Sequence, residues 1–261
     1  MTDGKRQRLS RLLKDGRMLC VPMDHGMSDG PIQGLEDINA IVRSVEEGGA
    51  SSVILHKGMI KSLNFSPRLG LIMHVSGSTS RGPAPFYKVD VSGVREAILL
   101  GADAVSFHMN VGANSESDMM RSLGALADEA DRWGYPLIAM MYVRGERVKD
   151  QFDPELTALA VRLGAELGAD LVKTTYTGNI DSFAKVVKGS PVPVVIAGGP
   201  KVSSRRELFQ MAKDALDAGA IGVTFGRNVF QDSDPKKVVK ALSSIIFNDA
   251  DVESALKEFD H

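Results

Sequence analysis

Short apolar runs alternate with longer amphipathic stretches along the whole chain. The joints between them repeat a phrase: Glu47-Gly48-Gly49-Ala50, Leu100-Gly101-Ala102-Asp103, Leu167-Gly168-Ala169-Asp170 and Ala218-Gly219-Ala220-Ile221. Glycine at such a joint supplies the left-handed backbone that ends a helix, and the apolar, β-branched residues that follow suit a strand buried on both faces. Reading outward predicts eight strands, at 18–23, 52–57, 70–75, 104–111, 136–142, 171–176, 193–197 and 221–225. Helical spacing predicts helices over 37–47, 115–133, 154–167, 180–188 and 204–218, with Pro154 in a first turn that tolerates proline. Leu9, Leu12 and Leu13 predict a short N-terminal helix packed on the body. The Met and Leu stripe over 119–126 reads as core.

Strands that alternate with helices must pair in parallel. Eight βα units in 261 residues favour an α/β fold of the closed (β/α)8 TIM-barrel type, a single domain over 1–261, above an open doubly wound sheet. The open sheet stays as the alternative, although no G-x-G-x-x-G follows the first strand. The stretch 76–90, rich in Gly, Pro and Ser, is expected to be a long loop near the barrel mouth.

Composition narrows the function classes. The 31 basic and 33 acidic residues leave a formal charge of −2, so no global field attracts nucleic acid or an anionic membrane, and an anionic ligand needs a local site. No apolar run is long enough to span a bilayer. A single cysteine, Cys20, sits in the first predicted strand as core; with no internal disulfide to form, the chain suits a reducing cytoplasm.

Chemistry concentrates at predicted strand ends, where barrels place it. In Leu171-Val172-Lys173-Thr174-Thr175-Tyr176 a lysine lies inside a strand. Burial would lower its pKa and free the amine needed to attack a carbonyl. The plain alternative is a packed stem with its head in solvent. Asp24 and His25 follow the first strand and Tyr142 closes the fifth, so a carboxylate and a phenol stand ready to move protons; a loop cap and an ordinary strand-end tyrosine are their structural readings. His56 and Lys57 end the second strand, and their part in catalysis is left open. The loops Ala197-Gly198-Gly199-Pro200 and Phe225-Gly226-Arg227-Asn228 follow strands seven and eight, the usual phosphate site of a barrel. His25, His56, His74 and His108 raise a zinc alternative, but no acidic or cysteine ligand accompanies them at recognisable spacing, and no metal or cofactor is expected.

The phrases Met23-Asp24-His25-Gly26, Met141-Tyr142-Val143-Arg144-Gly145, Val172-Lys173-Thr174-Thr175-Tyr176-Thr177-Gly178, Ala197-Gly198-Gly199-Pro200 and Gly226-Arg227-Asn228 resemble the archaeal-type class I aldolases, in family order over nearly the whole chain. Segments 22–31 and 138–142 resemble most the family's transaldolase-type synthases of an alternative route to aromatic amino acids. The resemblance implies transfer of a three-carbon unit from a phosphorylated keto-sugar, 6-deoxy-5-ketofructose 1-phosphate, to an aldehyde acceptor, L-aspartate semialdehyde. It implies Lys173 as Schiff-base lysine, Asp24 as proton acceptor and Tyr142 as proton donor. His25, Gly26, Met27, Ser28, Val143, Arg144, Gly198, Gly199, Gly226 and Arg227 would line the substrate and phosphate site. Many relatives carry proline at the position of Val143. The family also implies a homo-oligomer. Fructose-bisphosphate aldolase, a phosphorylated-ketone thiolase, and a non-catalytic sugar-phosphate-binding barrel are the other readings.

Overall fold

The computed structural model describes residues 2–260. Eight parallel strands close into a barrel: β1 (Met18–Pro22), β2 (Ser52–His56), β3 (Gly70–His74), β4 (Ala104–Val111), β5 (Leu137–Val143), β6 (Leu171–Thr175), β7 (Val194–Ala197) and β8 (Gly222–Thr224). Each pairs with the next in sequence, and β8 pairs with β1 through Met18↔Gly222 and Cys20↔Thr224. The open sheet is thereby excluded.

Alternation along each strand sorts its side chains into two layers. Met18, Cys20, Ile54, Ile72, Ile138, Met140, Leu171 and Val195 fill the barrel. Leu19, Val21, Val53, Leu55, Val105, Phe107, Ala139 and Val172 face outward into the larger core beneath the helices. The four glycine joints behave as their sequence requires: Gly49, Gly101, Gly168 and Gly219 all have φ between +70° and +98°. Helix starts are capped by side chains, with Asp37 accepting from the backbone N–H of Asn39 and Ala40, and Asp153 doing the same ahead of Pro154.

The N-terminal helix, Asp3–Leu12, plugs the bottom of the barrel with Leu9 and Leu12. It lies so close to β3 that a Cβ on Gly70 would fall 2.6 Å from the Arg11 carbonyl oxygen. Two details depart from expectation. The last strand is shorter than 221–225, spanning Gly222–Thr224, and its Gly222, at φ +154°, runs against the β1 backbone, where a Cβ would lie 1.9 Å from the Met18 oxygen. Segment 76–90 is not all loop: Ser76–Gly77 and Val89–Asp90 pair as a short antiparallel ribbon that carries its connecting loop to the mouth. Two further helices, Pro235–Asn248 and Val252–Asp260, complete the outer ring against Ile38–Gly48 and Arg205–Asp217. No helix among the described residues is long and apolar enough to cross a membrane.

Candidate active site

Lys173 lies in the middle of β6, its Cα in register with that of Met140 on β5, and it shares the inward face with Met140 and, two residues on, Tyr142. Only 5% of it is exposed. Asp24 lies just beyond the end of β1. The three meet in a cavity of about 290 Å³ at the C-terminal mouth, which is also lined by His25, Ser28, Arg144, Gly198, Gly199, Gly226 and Arg227. Three expected residues do not line it. Val143 follows Tyr142 on the strand, so alternation turns it into the outer core. Gly26 and Met27 belong to the short helix Gly26–Asp29, and the Met27 thioether packs over Gly77 of the ribbon.

The expected free amine is corrected by its neighbours. Burial does push the Lys173 pKa down, but Tyr142 and Asp24 pull the other way and the net shift is upward, which favours the ammonium. Burial likewise works to raise the Asp24 pKa, yet His74, His25, Lys173 and His56 together hold it well below the ordinary carboxylate range. His25 Nδ1 stands 3.7 Å and His74 Nε2 3.9 Å from its two oxygens. Since burial pushes His74 itself down to about 3, that ring is neutral and acts as a dipole; the standing cation that keeps Asp24 ionised is Lys173.

The histidines belong to a hydrogen-bonded lining. His74 Nδ1 pairs with Ser106 Oγ at 2.9 Å, and Ser76 Oγ lies 3.3 Å from its Nε2 while accepting the His108 N–H at 2.9 Å. His108 Nε2 meets Asn110 Oδ1 at 2.8 Å. His56 stacks edge-on to His74 at 5.1 Å, behind the cavity. Lys57 turns away and donates to the Val91 carbonyl at 2.7 Å. No group of three or more metal-ligating side chains among the described residues is arranged to hold an ion.

An anion pole stands at β7 and β8. Arg227 Nη2 donates to the Gly199 carbonyl at 3.2 Å, while its Nε is buried without a partner. Asn228 Nδ2 ties the loop down by donating to the carbonyls of Gly198 and Pro200 at 3.0 and 3.1 Å. Side chains are barred here: a Cβ on Gly226 would lie 2.7 Å from His25 Cε1, and one on Gly198 would lie 2.8 Å from Phe225 Cδ1. The result is a cradle of backbone and one orphaned guanidinium N–H, suited to phosphate.

Lys88, His108, Asn110, Asp29 and Ser80 also line the cavity and escaped the sequence reading as site residues. His108 and Asn110 had a signal: with Ser106 they form a polar i, i+2, i+4 face inside an apolar strand. Lys88 had none, since only the ribbon brings it to the mouth.

Among known proteins, the profile of the DeoC/LacD family aldolases matches residues 18–232. The chain belongs to that family. Within it, the chain is 44% identical over 258 residues to the 2-amino-3,7-dideoxy-D-threo-hept-6-ulosonate synthase of Halobacterium salinarum, covering 98% of this chain and 97% of that one. It is 42% identical over 234 residues to the 2-amino-4,5-dihydroxy-6-oxo-7-(phosphonooxy)heptanoate synthase of Streptomyces griseus, covering 89% and 85%. A solved archaeal fructose-1,6-bisphosphate aldolase, with its catalytic Lys covalently bound to the carbinolamine intermediate of the substrate, superposes with TM-score 0.87 at 29% identity over 93% of this chain and 99% of that one. That solved aldolase shares the barrel that the sequence pattern predicted.

Proposed function

We propose that this aldolase transfers a three-carbon unit from 6-deoxy-5-ketofructose 1-phosphate to L-aspartate semialdehyde, giving 2-amino-3,7-dideoxy-D-threo-hept-6-ulosonate. The observation that carries the chemistry is the buried Lys173 between Asp24 and Tyr142, in a cavity that ends in a phosphate cradle. The synthase of Halobacterium salinarum, similar over almost the full chain, supports the product.

Each residue has work that its surroundings suit. Lys173 must lose a proton before it attacks the donor ketone, and the ionised Asp24 and the Tyr142 phenol are the groups placed to take and return it. Water leaves the carbinolamine to give an iminium, which draws electrons from the neighbouring carbon–carbon bond. As Asp24 accepts the proton of the hydroxyl on the departing carbon, cleavage releases a three-carbon aldehyde that carries the donor phosphate and leaves an enamine on Lys173. The enamine carbon attacks the acceptor aldehyde, Tyr142 protonates the new alkoxide, and hydrolysis frees the product. Gly198, Gly199, Gly226 and Arg227 anchor the donor phosphate.

A second reading has its own support. Arg227, with its partnerless Nε, lines the same cavity as Lys173, which suits a donor whose transferred unit itself bears phosphate, as fructose bisphosphate cleavage would require. Purified protein given each donor with L-aspartate semialdehyde separates the two by product mass. A seven-carbon amino acid without phosphate is expected; a phosphorylated one, or bisphosphate cleavage alone, would replace the first reading by the second.

A further inference from the structure

At the mouth, three charged side chains face the cavity without a salt bridge of their own. Arg144, just after β5, makes no side-chain hydrogen bond or ion pair among the described residues; its guanidinium lies over the Tyr142 ring, 4.5 Å from the centroid. Lys88 donates only to neutral oxygens, Ser78 Oγ and, at 3.2 Å, the Pro85 carbonyl. The Asp29 carboxylate likewise has neither a hydrogen bond nor an ion pair among the described residues.

The fold brings them together by a specific stitch. Ser28 Oγ donates to the Ser78 carbonyl at 3.1 Å, and Ser80 returns its N–H and hydroxyl to the Ser28 carbonyl at 2.9 and 3.0 Å. The helix that ends in Asp29 is therefore sewn to the ribbon loop whose Ser78 holds Lys88. Burial and Arg144 push the Lys88 pKa down, while Asp24 and Asp29 act the other way. Two cations that repel each other beside an unpaired carboxylate make an incomplete electrostatic set.

We propose that Lys88 and Arg144 bind the carboxylate, and Asp29 the ammonium, of an α-amino acid head group on the acceptor aldehyde. A second phosphate would satisfy the two cations but meet the negative charge of Asp29, whereas a zwitterion satisfies all three. The stack of Arg144 on Tyr142 sets this head group one side chain away from the reacting centre. The inference rests on the acceptor half of the transfer reading and adds the residues that would recognise it.

The test uses unreactive alcohols in place of the aldehyde: L-homoserine, 4-hydroxybutyrate, which lacks the amino group, and 3-aminopropanol, which lacks the carboxylate. Binding is followed by NMR titration of the whole protein. Lys88→Met is expected to weaken L-homoserine and 4-hydroxybutyrate about tenfold or more and to spare 3-aminopropanol, with Lys88→Arg restoring most of the loss. Asp29→Asn is expected to weaken L-homoserine and 3-aminopropanol about fivefold and to spare 4-hydroxybutyrate. Equal losses for all three ligands, or wild-type protein that prefers neither charge of L-homoserine, would overturn the head-group site. Borohydride trapping with the phosphorylated donor is run alongside: failure to trap sinks the transfer reading and leaves the binding result to decide the head-group site by itself.

Discussion

Two lysines of this barrel are almost equally buried, Lys5 at the bottom with 4% exposed and Lys173 at the top with 5%. Lys5 reaches from the N-terminal helix to Asp131 and to both oxygens of Asp170, at 3.0 and 2.9 Å, and Asp170 also accepts the Leu137 N–H at the start of β5. Nearby Arg11 pairs with Asp103 at 2.6 Å. Lys173 has no ion pair with a carboxylate among the described residues; it faces an open cavity whose rim leaves Arg144 and Arg227 Nε without polar partners and Lys88 without a carboxylate partner. Both lysines have raised pKa values, so neither burial nor the direction of the shift marks the reactive one. Reactivity goes with space for a carbonyl and with partners that move protons instead of holding them.

The largest contrast should come from removing each lysine in turn. Lys173→Ala is expected to cut turnover about 10³-fold or more and to abolish the borohydride adduct with the donor, while the melting temperature stays within roughly 3 °C. An adduct that survives, on another lysine, would end the assignment. Lys5→Met should do the opposite. It leaves the largely shielded Asp170 without its counter-ion, which costs about 2 kcal/mol and lowers the melting temperature by roughly 4–8 °C, with kcat per folded molecule unchanged. A Lys5 variant with lost turnover and normal melting would erase the division between the two ends.

Within the top, Arg227→Met separates anchoring from chemistry. Its orphaned Nε and its Nη2 bond to Gly199 suit phosphate, so the donor KM is expected to rise about 10- to 100-fold with a smaller change in kcat, read by steady-state kinetics at saturating acceptor. A fall in kcat at unchanged KM would place Arg227 in the chemical step.

Most of the fold was legible because its signals are local. Joints such as Leu167-Gly168-Ala169 announce a helix end and a buried strand within a few residues, and the alternation at Leu171, Val172 and Lys173 sorts inside from outside. The site residues at strand ends were legible for the same reason. Val143 lies outside the cavity because the strand runs straight through it, so its own parity turns it outward although both neighbours in sequence belong to the mouth. Lys88 was out of reach, since a ribbon of two residues on each side has no periodic signature and its position depends on the long-range Ser28–Ser78 and Ser28–Ser80 contacts. The protonation of Lys173 was misjudged from sequence because burial is a property of one residue's place, whereas the opposing pull of Asp24 and Tyr142 exists only after closure of the barrel.

Acid should act on the two ends differently, and His74 offers the finest test. The four described histidines, His25, His56, His74 and His108, all belong to the top, and burial pushes every one of them below its ordinary pKa. For His74 the folded value is about 3 against 6.5 in the unfolded chain, so between those limits the unfolded state binds a proton that the barrel refuses. Its contribution to stability is therefore complete above 6.5 and is lost as pH falls toward 3, by at most about 1.4 kcal/mol per pH unit. Asp24 has the same sign but a lower window: its depressed pKa contributes fully above 3.8 and is lost only below that. The interval from 6.5 to 5, above the range where the depressed carboxylates such as Glu47 and Glu96 begin to titrate, thus isolates the histidines. His74→Gln keeps a polar group near Ser106 and removes the titration, so urea midpoints at pH 7 and pH 5 should lie closer together in the variant by an amount worth about 2 kcal/mol. An unchanged spread would mean that His74 takes up its proton without unfolding, through a rearrangement of the Ser76, Ser106 and Asp24 contacts, and the acid sensitivity would have to be sought among the other three rings.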